Sequence, residues 1–265
     1  MHISVKIAAA YLALLTAAQA GAWLQPHGET AVSITHFTLS ERNRLPRIGR
    51  DVARKRQGWE TQIDYGWREN ATLSATIYRE NRHFDGGLET RQELEEIALT
   101  TRIRWAEYGL LPPYFYRLLK KLDRRDKLHR QRRTSLQLHL DRYDDGTRSR
   151  NGRGGQVSAA DKLSYGRFIM IQEARYNLTR RAGTDWRDTS YRTQFGWNER
   201  FWLGYETGHF DGDNNPYREV RDYGFVEIAN FLKSPIAIRW TRGKFRHSGN
   251  PDGGRYDALE FRVSF

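Results

Sequence analysis

The C-terminal segment alternates apolar and polar residues with a period of two. One parity holds Leu259, Phe261, Val263 and Phe265, and the other holds Ala258, Glu260, Arg262 and Ser264. Because successive side chains of a strand point to opposite faces, this pattern predicts a β-strand with one apolar and one polar face. In a soluble sandwich such an apolar face covers a core, whereas in a membrane barrel it meets lipid.

The same period recurs along most of the chain, and it predicts twelve strands, with ten or fourteen as alternatives. Residues 156–178 could also form one long strand, and in 219–230 either Tyr223 and Phe225 or Val226 and Ile228 could face the apolar side. The expected strands are 29–40, 58–68, 71–82, 91–105, 131–143, 156–165, 168–178, 185–197, 200–211, 219–230, 235–246 and 255–265.

Short and long connections alternate between these strands. Short turns are expected at 68–70, 166–167, 198–199 and 233–234, and longer connections rich in Gly, Asp or Asn at 82–91, 144–155, 179–184, 212–218 and 247–254. Outer-membrane barrels have short periplasmic turns and longer external loops. The sequence therefore predicts an all-β fold, a transmembrane up-and-down antiparallel β-barrel, in which closure leaves no unpaired backbone in lipid.

Aromatic residues at the predicted strand ends fit a membrane-interface belt, where amphipathic rings sit at headgroup depth. In a soluble protein the same rings would form a core or a sugar-stacking surface. The belt is expected to contain Trp59, Tyr65, Trp67, Trp105, Trp186, Trp197 and Trp202.

The first twenty residues have the organisation of a secretory signal peptide. A short start with Lys6 precedes an apolar block from Ile7 to Leu15 and a small-residue end, Ala18-Gln19-Ala20. We expect cleavage after Ala20, which gives a mature barrel of residues 21–265. A membrane anchor would need a longer apolar run. The expected location is the outer membrane of a Gram-negative cell.

Composition excludes several classes of protein. The mean hydropathy is −0.81, and no apolar run reaches the roughly 20 residues that a helical span needs. The chain has no cysteine, which excludes a disulfide scaffold, a cysteine zinc site and an iron–sulfur cluster. We expect no cofactor and no metal.

A terminal Phe265 on an alternating strand resembles the last strand of bacterial outer-membrane barrels, which carries a signal for the barrel-assembly machinery. The expected mature start, Gly21-Ala22-Trp23-Leu24-Gln25-Pro26, is similar to a set of proteobacterial outer-membrane barrels described as transporters, some of them linked to the meta-cleavage pathway of phenol degradation. Tyr65-Gly66-Trp67 and Phe195-Gly196-Trp197 are similar to turns of that family. The resemblance implies fold and location and supplies no binding residue.

Basic residues concentrate in one connection. The net charge is +12, and from Arg117 to Arg133 nine Lys or Arg face only two acids. Strand parity makes 106–130 a long periplasmic connection, in which Pro112-Pro113 would start an amphipathic helix. This helix could lie against anionic headgroups, fold into the barrel as a plug, or be a solvated basic loop. Nucleic acid is not an expected partner of an exported barrel.

Charges of both signs are expected to face the lumen. The expected lumen-lining residues are Arg102, Arg104, Arg192, Arg239, Arg262, Glu60, Asp64 and Glu260. A water-containing or salt-bridged barrel needs a polar interior of this kind, whereas the five arginines alone could form a track for an anionic solute.

The expected function is a narrow passive channel or transporter for a small solute, with an anionic solute as the more specific form of this expectation. The alternatives are a non-conducting structural barrel with a salt-bridged interior and, behind it, an outer-membrane hydrolase. His247-Ser248 and the pair His139 and Asp141 are the only hydrolase candidates, and neither completes a Ser-His-acid set, so no catalytic residue is assigned. The expected partners are outer-membrane lipid, lipopolysaccharide, the barrel-assembly machinery and the small solute.

Overall fold

The computed structural model describes residues 24–45, 50–84, 87, 89–104, 109–123, 127–213, 215–230, 235–247 and 250–265. The expected signal peptide lies outside this part of the chain. The described residues form twelve strands and the helix α1, Pro113–Leu122. The strands are β1 Thr30–Leu45, β2 Arg50–Arg68, β3 Ala71–Phe84, β4 Glu89–Arg102, β5 Leu128–Asp144, β6 Ser149–Tyr165, β7 Phe168–Arg181, β8 Thr184–Trp197, β9 Phe201–Gly212, β10 Asn215–Ile228, β11 Ile236–His247 and β12 Asn250–Ser264.

The strands form one closed antiparallel barrel in which each strand pairs with its neighbours in sequence. β1 and β12 close the ring, with pairs that run from Ala31 opposite Ser264 to Glu41 opposite Gly254. Two further bonds seal the seam: the amide of Thr30 donates to Phe265 O at 2.7 Å, and the amide of Phe265 donates to Thr30 O at 2.9 Å. The predicted fold class and the count of twelve strands are confirmed, and 156–178 forms two strands.

The two faces of the wall differ in polarity, as the alternation predicts. Leu73 and Ile77 of β3 are exposed on the outside of the barrel. Ser74 and Glu80 of the same strand have the opposite parity and are buried on the inside. In β10, Phe225 is buried inside and Val226 is exposed outside, which resolves the ambiguous parity of this strand. We call the end with Thr30, Phe265 and α1 the terminal end of the barrel, and the opposite end the distal end.

The predicted long connections are wrong in extent, because the strands continue through most of them. Between β5 and β6, for example, only residues 145–148 lie outside the strands, where a connection over 144–155 was expected. Strands of up to 19 residues exceed the roughly 9–11 that cross a bilayer. Beyond the bilayer both faces of a strand can be polar, so alternation no longer reports the strand, although backbone pairing still forms it.

Tight distal turns explain how so few residues reverse the chain. Ala182 and Gly183 connect β7 to β8 with positive φ angles of 50° and 82°, the left-handed geometry of a two-residue hairpin turn. In the turn after β5, Asp145 accepts hydrogen bonds from the Thr147 hydroxyl and from the amides of Thr147 and Arg148. These bonds lower the pKa of Asp145 to about 2, so the carboxylate holds this turn at neutral pH.

The expected aromatic belt is correct for some residues and wrong for others. Tyr65, Trp67 and Trp197 are exposed on the outer wall near the terminal end, and Trp59 is exposed farther up the same wall. Trp186 and Trp202 have the opposite parity: Trp186 stacks on the inward-facing Phe210 with ring centroids 5.3 Å apart, and a Cβ on Gly196 would touch the ring of Trp202. Trp105 lies outside the described residues.

The segment that carries α1 packs against the outside of the wall. Leu111 is buried with Leu128 of β5 and Leu163 of β6, which share the outward parity of the exposed Val157 and Tyr165. The plug hypothesis is therefore wrong for this segment. No helix in the described part is long and apolar enough to cross a membrane.

An ion pair on the outer wall fixes this segment. Asp161 of β6 is fully buried and accepts hydrogen bonds from the Arg130 Nε at 2.9 Å and from the amide of Leu111 at 3.1 Å. The guanidinium of Arg130 also donates to Leu111 O at 3.0 Å and lies 5.0 Å from the ring centroid of Tyr116 in α1. The barrel wall thus holds α1 at the terminal end.

Candidate functional site: the barrel lumen

Four charged side chains form one cluster in the lumen near the terminal end. Glu227 of β10 accepts hydrogen bonds from Arg239 Nε at 2.7 Å and from Arg262 Nη2 at 2.6 Å. Glu260 lies 3.4 Å from Arg239 and 3.9 Å from Arg262. We call these residues the terminal charge cluster. Its two cations and two anions neutralise each other, because adjacent strands present them at the same height.

A second lumen feature is a phenylalanine between two arginines. The ring centroid of Phe225 lies 4.6 Å from the guanidinium carbon of Arg239 and 5.7 Å from that of Arg192. Arg192 of β8 also donates to Glu206 of β9. Guanidinium groups are attracted to the face of an aromatic ring. Phe225 therefore links the Arg192–Glu206 pair to the terminal charge cluster.

Two cavities of similar size lie in series along the lumen. The one nearer the terminal end measures about 190 Å³, and Glu60, Arg239 and Glu260 are among its lining residues. The one nearer the distal end measures about 200 Å³, and Asp188 and Arg221 are among its lining residues. Both linings include Arg175, Glu206 and Tyr223. We call these three residues the central constriction, because groups that line both cavities lie between them.

Aromatic rings narrow one side of the lumen at the same height. Phe37 of β1 stacks on Tyr78 of β3, with centroids 5.2 Å apart, and lies 6.4 Å from Tyr256 of β12. Tyr256 in turn lies 4.6 Å from Tyr223 of the central constriction. Phe37 also packs with the buried Phe245 of β11. These rings form an aromatic layer beside the central constriction.

Further ion pairs line the lumen toward the distal end. Arg56 Nε and Nη2 donate to the two oxygens of Glu80 at 2.8 and 2.6 Å, and Arg82 and Tyr78 donate to the same carboxylate. Arg221 pairs with Asp188 at 2.6 Å. Ion pairs thus line the lumen at several heights between its two ends.

The structure brings some of the expected lumen residues together and separates others. Arg239, Arg262 and Glu260 meet in the terminal charge cluster, and Arg192 and Glu60 line the adjacent cavity. Asp64 is buried on the inner wall of β2 and accepts a hydrogen bond from Gln62 at 3.0 Å.

Two of the five arginines lie elsewhere. Arg102 is the last residue of β4, at the rim of the terminal end. Arg104 lies beyond the strand and is exposed. Only three members of the expected arginine track therefore lie along the central lumen, and each of these three is paired with a carboxylate.

Sequence reasoning did not single out Glu227, Arg175, Tyr223 or Phe225 as lumen residues. Parity could have found them, because Arg221 and Glu227 share the odd parity of Tyr223 and Phe225 in β10. Charged side chains avoid lipid, so their parity marks the inner face of the strand.

The hydrolase candidates gain no nucleophile–base–acid set. His139 Nε2 lies 2.9 Å from the hydroxyl of Thr179, while Asp141 accepts its hydrogen bond from Arg181 at 2.9 Å. The side chains of His247 and Ser248 lie outside the described residues. Within the described ranges no group of three or more acidic or histidine side chains could hold a metal ion.

Comparison with known proteins identifies the fold but no family. No family model and no curated protein matches the sequence. An outer-membrane channel from Pseudomonas putida F1 matches with a TM-score of 0.60 and 9% identity over 94% of this chain and 100% of that chain. The β domain of the Bordetella autotransporter BrkA matches with a TM-score of 0.56 and 12% identity over 91% of this chain and 100% of that chain. This chain therefore has the fold of an outer-membrane β-barrel.

Proposed function

We propose that the protein is a narrow passive channel for small solutes in the outer membrane, with the terminal end in the periplasm. The apolar outer wall and the closed ring of strands support the membrane location, since a β-sheet satisfies every backbone group in lipid only when it closes into a barrel. The terminal end holds both ends of the strand order and the basic helix α1, as expected for the periplasmic side.

The observation that carries the proposal is the pair of charged cavities in series. Each has room for several water molecules, given that one water occupies about 30 Å³ of liquid. They meet at the central constriction of Arg175, Glu206 and Tyr223. Long side chains rather than backbone form this constriction, so their rotation is enough to connect the cavities into a path for ions and small polar molecules.

An anionic solute is the more specific form of the proposal. Three arginines of the expected track, Arg192, Arg239 and Arg262, lie along the path, and each is paired with the carboxylate of Glu206 or Glu227. A carboxylate or phosphate solute would exchange with these partners and reuse the same guanidinium geometry. Without such exchange the paired charges leave little preference for either sign.

The second candidate is a non-conducting barrel with a salt-bridged interior. It is favoured by the burial of the terminal charge cluster, where Arg239 is 7% and Glu227 4% exposed. Such a barrel would interact with other molecules through its outer wall or its ends, and no solute would pass through its lumen. Single-channel recording separates the two candidates.

The test is planar-bilayer conductance of the refolded mature chain across a salt gradient, for the wild type and Glu227→Gln. The substitution removes one negative charge beside Arg239 and Arg262, so we expect the reversal potential to move toward the anion equilibrium potential. Tyr223→Ala, which widens the central constriction, should raise the single-channel conductance at least twofold.

The matched control is Glu95→Gln, since Glu95 is an exposed carboxylate with the outward parity of Ile97. It should leave both quantities unchanged. A folded wild type that never conducts would overturn the channel proposal in favour of the non-conducting barrel. A conducting Glu227→Gln variant with the reversal potential of the wild type would overturn the anionic-solute form of the proposal.

A further inference from the structure

Three arginines meet on the outer wall, toward the distal end. Arg153 of β6 lies directly opposite Arg180 of β7 in the strand register. Arg142 of β5 is one outward position farther along the adjacent strand, opposite Asn151. All three side chains are exposed. We call them the outer arginine cluster.

The charges of this cluster are compensated only in part, since Glu95 of β4 lies directly opposite Arg142 on the same outer face. Like charges directly opposite each other on a sheet are destabilising. Asp185 lies 3.6 Å from Arg180, and Arg142 Nε donates to the Ser149 hydroxyl. Among the described residues no carboxylate lies within ion-pair distance of Arg153. This contrasts with Arg242, another outward and exposed arginine, which has Asp257 at 3.5 Å.

An apolar groove starts directly beneath Arg153. It is an open depression of about 540 Å³ on the outer wall between β3 and β6, and its lining includes Leu73, Ile97, Leu138 and Leu140. Arg153 itself belongs to the lining. The groove therefore presents an apolar surface along its length and a cation at one end. This arrangement is complementary to an amphiphile with an anionic head group.

The height of the cluster matches the outer headgroup region. Arg153 lies about twelve residues along β6 from Tyr165, an exposed aromatic residue at the terminal end. At about 3.3 Å per residue and a strand tilt of about 40°, this separation corresponds to about 30 Å across the membrane. That is about the thickness of the hydrocarbon core.

We propose that the outer arginine cluster and the groove together bind one molecule of lipopolysaccharide, with a lipid A phosphate between Arg153 and Arg180 and an acyl chain in the groove. This inference rests on the proposed outer-membrane location, in which the distal end faces outward. Guanidinium forks bind phosphate oxygens bidentately. A phosphate between the two opposed guanidinium groups relieves their repulsion.

The test uses the mature chain refolded from a lipopolysaccharide-free preparation and titrated in detergent with purified rough-type lipopolysaccharide, with native mass spectrometry to count bound molecules. We expect one bound molecule per wild-type barrel. The double variant Arg153→Gln with Arg180→Gln should bind at least tenfold more weakly. Dephosphorylated lipopolysaccharide should show the same loss on the wild type.

Two single variants separate the charge from the groove and from general electrostatics. Leu138→Trp, which fills the groove and keeps every charge, should weaken binding at least threefold. Arg242→Gln removes an outward arginine that already has a carboxylate partner and should bind like the wild type. Equal binding by the wild type and the double variant, or equal loss in the Arg242→Gln control, overturns the site.

Conductance and heat-shifted gel migration of the same samples keep this inference distinct from the proposed function. A barrel that conducts and shifts on heating but binds no lipopolysaccharide contradicts only the lipid site. A barrel that binds lipopolysaccharide but never conducts contradicts only the channel.

Discussion

At the scale of single residues, aromatic rings inside the barrel lie flat against glycines of the neighbouring strand. A Cβ on Gly204 would lie 2.1 Å from Cζ of Phe225, and one on Gly58 would lie 2.6 Å from Cζ of Phe37. The missing side chain lets each ring occupy the wall itself. Phe225 can then reach both Arg192 and Arg239 without blocking the lumen.

Gly204→Ala should therefore destabilise the barrel. The added methyl group must displace the ring of Phe225, and overpacking of this kind costs about 1–3 kcal/mol. The measurement is the urea midpoint of unfolding in lipid vesicles. Gly224→Ala is the control, because its Cβ would have no neighbour closer than 3.9 Å. If both variants unfold at the same urea concentration, the ring does not depend on this glycine.

The sequence predicts the side of the wall for a charged residue better than it predicts its partner. Arg239 and Arg262 have a clear inward parity, but their common partner Glu227 is 12 and 35 residues away along the chain. Strand register brings the three together, and register is set by closure of the whole ring. Arg104 shows a second limit of prediction from parity. The alternating pattern in the sequence continues to Arg104, but the strand ends at Arg102, so parity does not give the direction of the Arg104 side chain.

At the scale of elements, a buried contact holds the segment of α1 to the wall. Leu111 and Leu128 supply the apolar part of that contact, and the Arg130–Asp161 pair supplies the polar part. Arg117, Lys120 and Lys121 remain exposed. In the proposed orientation α1 lies at the periplasmic headgroups, where an amphipathic cationic helix is stabilised by anionic lipid.

Asp161→Asn should release α1 while the barrel stays closed. Loss of one partner of a buried ion pair costs about 3–5 kcal/mol. The pair joins two strands that their backbone register still holds together, whereas Leu111 depends on Asp161 and Arg130 for its bonds to the wall. We expect trypsin to cut after Arg117, Lys120 or Lys121 at least tenfold faster than in the wild type, as measured by mass spectrometry of timed digests.

The control for this prediction is Asp257→Asn, which removes the carboxylate of an exposed pair on the opposite part of the wall. Its digestion rate should match that of the wild type, and both variants should keep the heat-shifted gel migration of a closed barrel. A variant Asp161→Asn that is cut no faster than the control would show that apolar packing alone holds α1.

The elements also show which strands a sequence can reveal. Within the lipid-facing band the alternation gives strand, parity and turn, as for 168–178 and 185–197. Outside that band β6 continues through Ser149–Gln156 with glycines and charges on both faces. Nothing in the composition of that stretch favours a strand over a loop. The stretch is a strand because its backbone pairs with β5.

At the scale of the whole molecule, closure of the ring depends on the first and last strands. Their pairing extends over eleven residues of each strand and ends with the two bonds between Thr30 and Phe265. These bonds use only the backbone of Phe265, while its ring is 57% exposed on the outside. The side chain of Phe265 thus contributes little to closure, although the sequence predicts that it is a signal for the assembly machinery.

Phe265→Ala separates these two roles. The variant keeps both backbone bonds, so its refolding yield in detergent should match that of the wild type. Its free energy of unfolding should stay within about 0.5 kcal/mol of the wild type, the usual range of surface changes. In cells we expect the amount of heat-shifted barrel in the outer membrane to fall at least fivefold, measured by immunoblot of membrane fractions. Phe261→Ala, which removes another exposed ring from the same face of β12, is the control and should reduce that amount less. Equal yields in cells for the wild type and Phe265→Ala would mean that the backbone of Phe265 helps to close the ring but that the assembly machinery does not recognise its side chain.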